Sequence, residues 1–175
     1  ESYRRTSGVM NYVRLINGAF STKPTSEWEE PDPIPWQAIM GREGNIYETY
    51  DEFMDAEGHR DWPSIAVYFY RDEWIMGDIE YQQALFEEIY KHQYNPIIFY
   101  GQYGSNPRVG IPNMKLSMNH LFGKNEFPFD VLINTCKFSF QSLGAQTLEE
   151  LKLQDVPIVQ GYTIYMDEKS WAENP

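Results

Sequence analysis

Residues 64–78 read Ser64-Ile-Ala-Val-Tyr-Phe-Tyr-Arg-Asp-Glu-Trp-Ile-Met-Gly-Asp78. Positions 65–70 of this stretch form a near-continuous apolar run, without the alternation of a strand that is half exposed. Such a run is typical of a parallel strand that is covered on both faces. Asp78 can then cap a helix that runs to about His92. The stretch therefore predicts a buried strand followed by a helix, which is the first half of a βαβ unit.

The same rhythm continues toward the carboxyl end of the chain. Further apolar runs at 97–100, 131–134 and 157–160 predict three more strands. Pro112 and Gly123 bracket a helical pattern, and Thr147-Leu-Glu-Glu150 has the form of a capping box. Regular alternation of strands and helices favours right-handed crossovers on a parallel sheet. We predict an α/β fold, a three-layer Rossmann-like or flavodoxin-like parallel sheet with strand order 2-1-3-4 and helices on both faces.

The first sixty residues have a different pattern. Apolar residues at helical spacing predict a helix from Val9 to Phe20, and a shorter one is expected from Tyr47 to Ala56. Between them, residues 22–35 combine prolines with Glu and Asp, as in an acidic connector. We therefore predict an N-terminal helical and acidic Pro-rich segment at 1–61 and the α/β domain at 62–175. Both ends are expected to be cuts in a longer protein.

Composition excludes several classes of protein. The chain has 175 residues, with 42% hydrophobic and 23% charged residues, the proportions of one folded domain. Its net charge of −12 argues against nucleic acid and anionic lipid as partners. Cys136 is the single cysteine, so no disulfide joins two parts of the chain. Neither a membrane-spanning run nor a signal peptide is present, so we expect no membrane insertion and a cytoplasmic location.

Most motifs that carry chemistry are absent. The sequence contains neither the dinucleotide fingerprint G-x-G-x-x-G nor a phosphate-binding P-loop, so we expect no ATP hydrolysis by this chain. His59, His92 and His120 lack the spacing of zinc ligands, and we predict no metal site. Cys136 has no paired histidine, which favours a small buried filler over a reactive thiol.

One group of residues does predict a binding site. Ligands of open parallel sheets bind beyond the carboxyl ends of the strands, where the strand order reverses. The candidate residues that follow those ends are Tyr70, Arg71, Trp74, Asn134 and Lys137. Aromatic rings with two cations suit a broad flat ligand that carries carboxylates, since Arg pairs with carboxylate in a fork. The alternative is that these rings pack against other parts of a longer protein, which is the commoner role of exposed aromatic patches.

Four segments resemble one family in the right order. They are Ile65-Ala-Val-Tyr-Phe-Tyr-Arg-Asp-Glu-Trp-Ile-Met-Gly-Asp78, Asn95-Pro-Ile-Ile-Phe-Tyr100, Phe129-Asp-Val-Leu-Ile-Asn-Thr135 with Phe138-Ser139-Phe140, and Leu151-Lys-Leu-Gln-Asp-Val-Pro-Ile-Val-Gln160. Together they resemble the large subunits of cobaltochelatase and magnesium chelatase, the CobN/magnesium-chelatase H family, which also includes CobN-like members linked to heme uptake. The resemblance covers roughly residues 60–165.

The resemblance implies that the chain is a segment of a much longer chelatase subunit. Such subunits bind a tetrapyrrole or corrin ring and insert a divalent metal (cobalt, magnesium or iron), while separate AAA+ partner subunits hydrolyse ATP. The segment would contribute to ring binding or to cavity architecture, and by itself it is expected to be inactive. The resemblance carries over no catalytic residue and no metal ligand. The alternative is a non-catalytic α/β module for ligand binding or scaffolding.

Overall fold

The computed structural model describes residues 8–102, 105–123, 127–137, 155–161 and 173. The elements are, in chain order, α1 (Val9–Ala19), β1 (Ala38–Met40), β2 (Ile46–Tyr47), α2 (Tyr50–Ala56), β3 (Ser64–Tyr70), α3 (Arg71–Met76), α4 (Glu80–Lys91), β4 (Asn95–Gly101), α5 (Met114–Phe122), β5 (Val131–Asn134) and β6 (Ile158–Gln160). Short 3₁₀ turns occupy Thr25–Glu27 and Pro107–Val109. The helix expected at residues 147–151 lies outside the described residues. No helix in the described ranges is long and apolar enough to cross a membrane.

The strands form one sheet in the order β2-β1-β4-β3-β5-β6. The pairs β3–β4, β3–β5 and β5–β6 are parallel, and β1 pairs antiparallel with both β2 and β4. The four predicted strands thus lie in the predicted order 2-1-3-4, and the α/β fold class is confirmed. After β4 the chain crosses to the far side of β3, so the strand order reverses between β3 and β5.

The sheet is covered on both faces. Tyr100 stacks on Trp74 of α3, with ring centroids 5.5 Å apart. Its neighbour Phe99 makes an edge contact with Phe122 of α5 at 5.1 Å. Successive residues of a strand point to opposite faces, so α3 and α5 lie on opposite sides of the sheet. This double cover explains why 65–70 and 97–100 are apolar without alternation.

The core follows from these two layers. Apart from half-buried Ile65, residues 65–69 of the central strand β3 are almost fully buried, as are residues 95–101 of β4. Met114, Met118 and Leu121 of α5 are buried against them, at the spacing of one helix face. The apolar side of that helix is therefore its buried side.

Three elements were not predicted from the sequence. Strands β1 and β2 form a small hairpin in which Gly41 N donates to Asn45 O at 2.8 Å, and Gly44 has a positive φ of 83°. These strands have three and two residues, too few to show a period. Because β1 pairs with β4, the sheet includes residues from the 1–61 segment. Helix α3 has six residues and begins directly after β3, ahead of the helix expected from Asp78.

Helix starts differ from expectation by a few residues, for local reasons. The helix expected from Tyr47 begins at Tyr50, because Thr49 and Glu52 form a reciprocal capping box. Tyr47 belongs to β2 instead. Helix α4 begins at Glu80, after Ile79, and its N-terminus has no side-chain cap, so Asp78 does not cap it.

Candidate functional site

Arg71 lies at the carboxyl edge of the sheet, as predicted, but it is buried. It is the first residue of α3 and is 2% exposed. Its Nε donates to Pro35 O at 2.8 Å and its Nη2 donates to Ile34 O at 3.2 Å. The guanidinium carbon also lies 4.5 Å from the ring centroid of Trp36. Burial lowers the pKa of Arg71 from its ordinary value. The guanidinium therefore holds the end of the connector 22–35 against the sheet.

Trp74 is half-buried on α3 and is also used within the chain. Its Nε1 donates to Gly44 O at 2.9 Å, and its ring stacks on Tyr100. The indole thus joins the β1–β2 hairpin to the face of the sheet. One face of its ring is occupied by Tyr100.

Asn134, the last residue of β5, is fully buried in a clasp with Gln160 of β6. Its Nδ2 donates to Gln160 Oε1 at 2.9 Å, and its Oδ1 accepts from Cys136 N at 3.1 Å. In return, Gln160 Nε2 donates to the carbonyl oxygens of Asn134 and Cys136 at 3.1 and 2.9 Å. The amide that we expected to face a ligand therefore joins two strands.

Tyr70 and Lys137 complete the predicted set. Tyr70 is half-buried at the end of β3, where its Cα pairs with Gly101. Lys137 is exposed three residues after the end of β5. Since β3 and β5 are parallel neighbours, all five predicted residues lie at the same edge of the sheet. Arg71, Trp74 and Asn134 are engaged within the chain, and Lys137 is the exposed member of the set.

A partly buried polar cluster at the same edge was missed by the sequence analysis. Glu73 Oε2 accepts from Tyr81 OH at 2.7 Å and from Gln82 Nε2 at 2.6 Å. Tyr81 OH in turn lies 3.1 Å from Thr135 Oγ1, which donates to Tyr68 O at 2.9 Å. The cluster joins α3, α4 and the ends of β3 and β5, where the strand order reverses. The signal in the sequence was weak, because Glu73 and Tyr81 lie eight residues apart and Thr135 lies much later.

The hydrogens of this chain of contacts can be counted. Two hydroxyl hydrogens, those of Tyr81 and Thr135, serve the links Glu73–Tyr81, Tyr81–Thr135 and Thr135–Tyr68 O. Tyr81 donates the shortest hydroxyl link, so the carboxylate of Glu73 accepts two hydrogen bonds, from Tyr81 and Gln82. Burial raises the pKa of Glu73, and Asp78 and Asp72 act in the same direction, whereas the bonds from Tyr81 and Gln82 oppose it. Burial therefore favours the neutral form of Glu73 more than water does for an exposed glutamate.

Three further buried groups lie at this edge. Among the described residues, Gln82 Oε1 and Tyr100 OH are buried side-chain oxygens that make no hydrogen bond. Cys136 is fully buried, with Sγ 4.0 Å from Tyr68 O, and burial raises the pKa of its thiol. Cys136 is thus a buried filler, as predicted, and its thiol is not poised to react.

The opposite, amino edge of the sheet has a separate cleft of about 320 Å³. Arg42 lies over the ring of Tyr90 at 4.2 Å and pairs with Glu87 at 2.8 Å. His59 Nε2 lies 2.8 Å from Tyr90 OH, and its ring stacks on Trp62 at 4.0 Å. In the described ranges, no group of three or more His, Cys, Asp or Glu side chains is arranged to hold a metal ion.

Comparison with known proteins places the chain in context. The uncharacterized protein MJ0908 of Methanocaldococcus jannaschii is 34% identical over 173 residues, which cover 91% of this chain and 14% of that protein. Among solved structures, the catalytic subunit of cobaltochelatase from Mycobacterium tuberculosis matches with a TM-score of 0.59 at 18% identity. That match covers 98% of this chain and 14% of the subunit, and it shows a shared fold.

The family assignment rests on the whole length of the chain. The model of the family described as CobN/Magnesium Chelatase matches residues 1–175. The match includes the N-terminal segment, for which the sequence analysis found no counterpart, as well as the four segments that carry the resemblance. The chain belongs to the CobN/magnesium chelatase family.

Proposed function

We propose that the chain is an α/β domain of a large chelatase subunit, and that it forms one rigid wall of the cavity that receives a tetrapyrrole or corrin ring. The family match over residues 1–175 supports the chelatase assignment. The buried guanidinium of Arg71, bonded to the carbonyl oxygens of Ile34 and Pro35, favours the role of a wall. An arginine used in this way stabilises the edge of the sheet and has its planar face on Trp36.

Two side chains of the predicted set suit direct contact with the ring. Lys137 is an exposed residue at the carboxyl edge, and its positive charge suits pairing with a ring carboxylate. Tyr70, half-buried at the same edge, offers an aromatic face. In this proposal Arg71, Trp74 and Asn134 hold the wall in place, and Lys137 and Tyr70 contact the ring.

The metal and the ATP chemistry belong to the longer protein and its partners. A divalent ion (cobalt, magnesium or iron) is the substrate that enters the ring. The sequence of this chain has no P-loop, so ATP hydrolysis is assigned to AAA+ partner subunits. We place the assembly in the cytoplasm, and the domain by itself is expected to show no chelatase activity.

The test uses the full-length subunit in absorbance titrations with protoporphyrin, heme and a corrinoid. Lys137→Ala should weaken binding of a carboxylate-bearing ring by a factor of about 2–5, the range of an exposed ion pair. Lys91→Ala is the matched control, since Lys91 is an exposed lysine at the far end of α4. The proposal fails if the subunit binds none of these rings, or if both variants weaken binding equally.

A further inference from the structure

Helix α1 is attached to the rest of the chain by its polar side. Asn11 is 1% exposed, donates to Asp32 O at 3.0 Å and accepts from Asp32 N at 2.7 Å. Arg14 pairs with Glu29 at 3.0 Å and with Asp32. Gly18 packs so closely on Trp28 that an added Cβ would lie 2.5 Å from the ring. Polar and small residues thus form the inner side of this helix.

The opposite side of α1 is apolar and faces solvent. It carries five large side chains with the exposed fractions Met10 60%, Tyr12 44%, Val13 40%, Ile16 53% and Phe20 88%. Met10, Val13, Ile16 and Phe20 follow one another at intervals of three or four residues, so they share one face of the helix. We call these five residues the α1 apolar face.

This arrangement reverses the usual one. An amphipathic helix on a globular domain normally turns its apolar stripe inward and its charged side to water. A contiguous apolar patch on a surface marks a contact with another protein surface or a ligand. Because the ion pairs of Arg14 and the bonds of Asn11 fix the rotation of α1, the helix cannot bury these side chains by turning over.

We propose that the α1 apolar face is an interdomain contact, covered by an apolar surface from another part of the same long polypeptide. This inference rests on the proposed function, in which the chain is a segment of a large subunit. The chain spans 14% of the length of both relatives, so most of such a polypeptide is available to supply the cover. A second copy is disfavoured, because two chains that each carry −12 repel each other.

The test is hydroxyl-radical footprinting of the full-length subunit, read by mass spectrometry. Met10 should oxidise slowly, near the rate of Met118, which is 1% exposed. Met76 is the reference for an open methionine in this domain, with 76% exposure. Val13→Asp should raise the oxidation rate of Met10 several-fold. Ala84→Asp, at an exposed position of α4, should leave that rate unchanged.

Several outcomes would overturn the inference. Met10 could oxidise as fast as Met76 in the monomeric subunit. Protection of Met10 that disappears on dilution would indicate that a second copy covers the α1 apolar face. Protection that appears only after the ATPase subunits are added would indicate that a partner subunit covers it. Ring titration of the same preparation separates the two proposals. A subunit that protects Met10 but binds no ring contradicts the proposed function alone, whereas ring binding with an open Met10 contradicts the interdomain contact alone.

Discussion

Arg71 shows how a residue can be placed correctly and still have a different role from the one expected. Its position after a buried strand predicts a cation at the carboxyl edge of the sheet, and the structure has it there. Two backbone carbonyls from Ile34 and Pro35 then take the bonds that we assigned to a ligand carboxylate. A buried charge needs such partners, because desolvation without them costs several kcal/mol.

This use of Arg71 gives a prediction for stability. Arg71→Ala should lower the free energy of unfolding by about 1.5–3 kcal/mol, the usual loss for a hydrogen bond to a charged group. Arg71→Lys should restore only part of this loss. The lysine keeps the charge, but its ammonium cannot stack on Trp36 and bond both carbonyls as the planar guanidinium does. Urea unfolding followed by tryptophan fluorescence measures both. Equal stability of wild type and Arg71→Ala would contradict the role.

Glu73 predicts a pH dependence. Its pKa is raised in the fold, so the native state holds the proton more tightly than the unfolded chain does. The stability that Glu73 contributes to the fold is therefore fully present below the ordinary pKa of a glutamate. It is lost as the pH rises through the raised pKa. Asp72, Asp78, Tyr81, Gln82 and Cys136 face or influence this carboxyl. Glu73→Gln removes the ionisation and should remove this loss.

The measurement is the urea midpoint of wild type and Glu73→Gln from about pH 4 to about pH 8. Wild type should lose stability relative to the variant as the pH rises. Glu43→Gln is the control, because Glu43 is exposed and is not among the groups that shift the pKa of Glu73. Parallel curves for wild type and Glu73→Gln would show that Glu73 keeps an ordinary pKa.

Strand β6 is a whole element that is held in place by side-chain hydrogen bonds. It has three residues, two of them exposed, and lies at the edge of the described sheet. Its backbone is joined to β5 by bonds such as Gly161 N to Asn134 O at 2.8 Å. The side chain of Gln160 adds bonds to Asn134 and Cys136. So short a strand depends on this clasp, because it buries little apolar surface of its own.

Gln160→Ala should therefore release β6 before the rest of the sheet. We expect faster hydrogen exchange at the amides of 158–161 and a loss of about 1–3 kcal/mol in the free energy of unfolding, because buried partners lose their bonds. Val159→Ala is the matched control on the same strand, since Val159 is 51% exposed. Similar exchange rates in both variants would argue that the clasp is not what holds β6.

Charge acts on the molecule as a whole. The net charge of −12 is spread over a single domain-sized chain, and such self-repulsion destabilises a compact state. The surface ion pairs, such as Arg60–Asp55 and Lys91–Glu88, offset little of this, because solvent screens exposed pairs strongly. Added salt should therefore weaken the repulsion between like charges more than it weakens the attraction within the ion pairs.

We predict that NaCl raises the melting temperature as the Debye length falls from about 30 Å at 0.01 M to about 8 Å at 0.15 M. Exchanging exposed glutamates for lysine, as in Glu30→Lys with Glu43→Lys, should reduce the slope of this rise. Differential scanning calorimetry at several salt concentrations checks both. A melting temperature that falls with added NaCl would show that the ion pairs outweigh the repulsion.

The sequence by itself determined the order of the four parallel strands in the sheet. Apolar runs without alternation identify strands that are covered on both faces, and right-handed crossovers leave few orders for four such strands. The short hairpin β1–β2 and the helix α3 escaped this reasoning, because two to six residues carry too little periodic pattern. The position of the candidate site, at the edge where β3 and β5 end, followed from the same rules.

Only the tertiary structure decided what each residue at that edge does. Arg71 meets carbonyls 36 and 37 residues away, and Tyr81 meets Thr135 54 residues later. The apolar face of α1 turned outward for the same reason, since the partners of Asn11 and Arg14 lie in the connector 22–35. Periodicity in a sequence identifies residues that share one face of a single helix or strand. The choice of hydrogen-bond partner depends on distances in space, which packing alone sets.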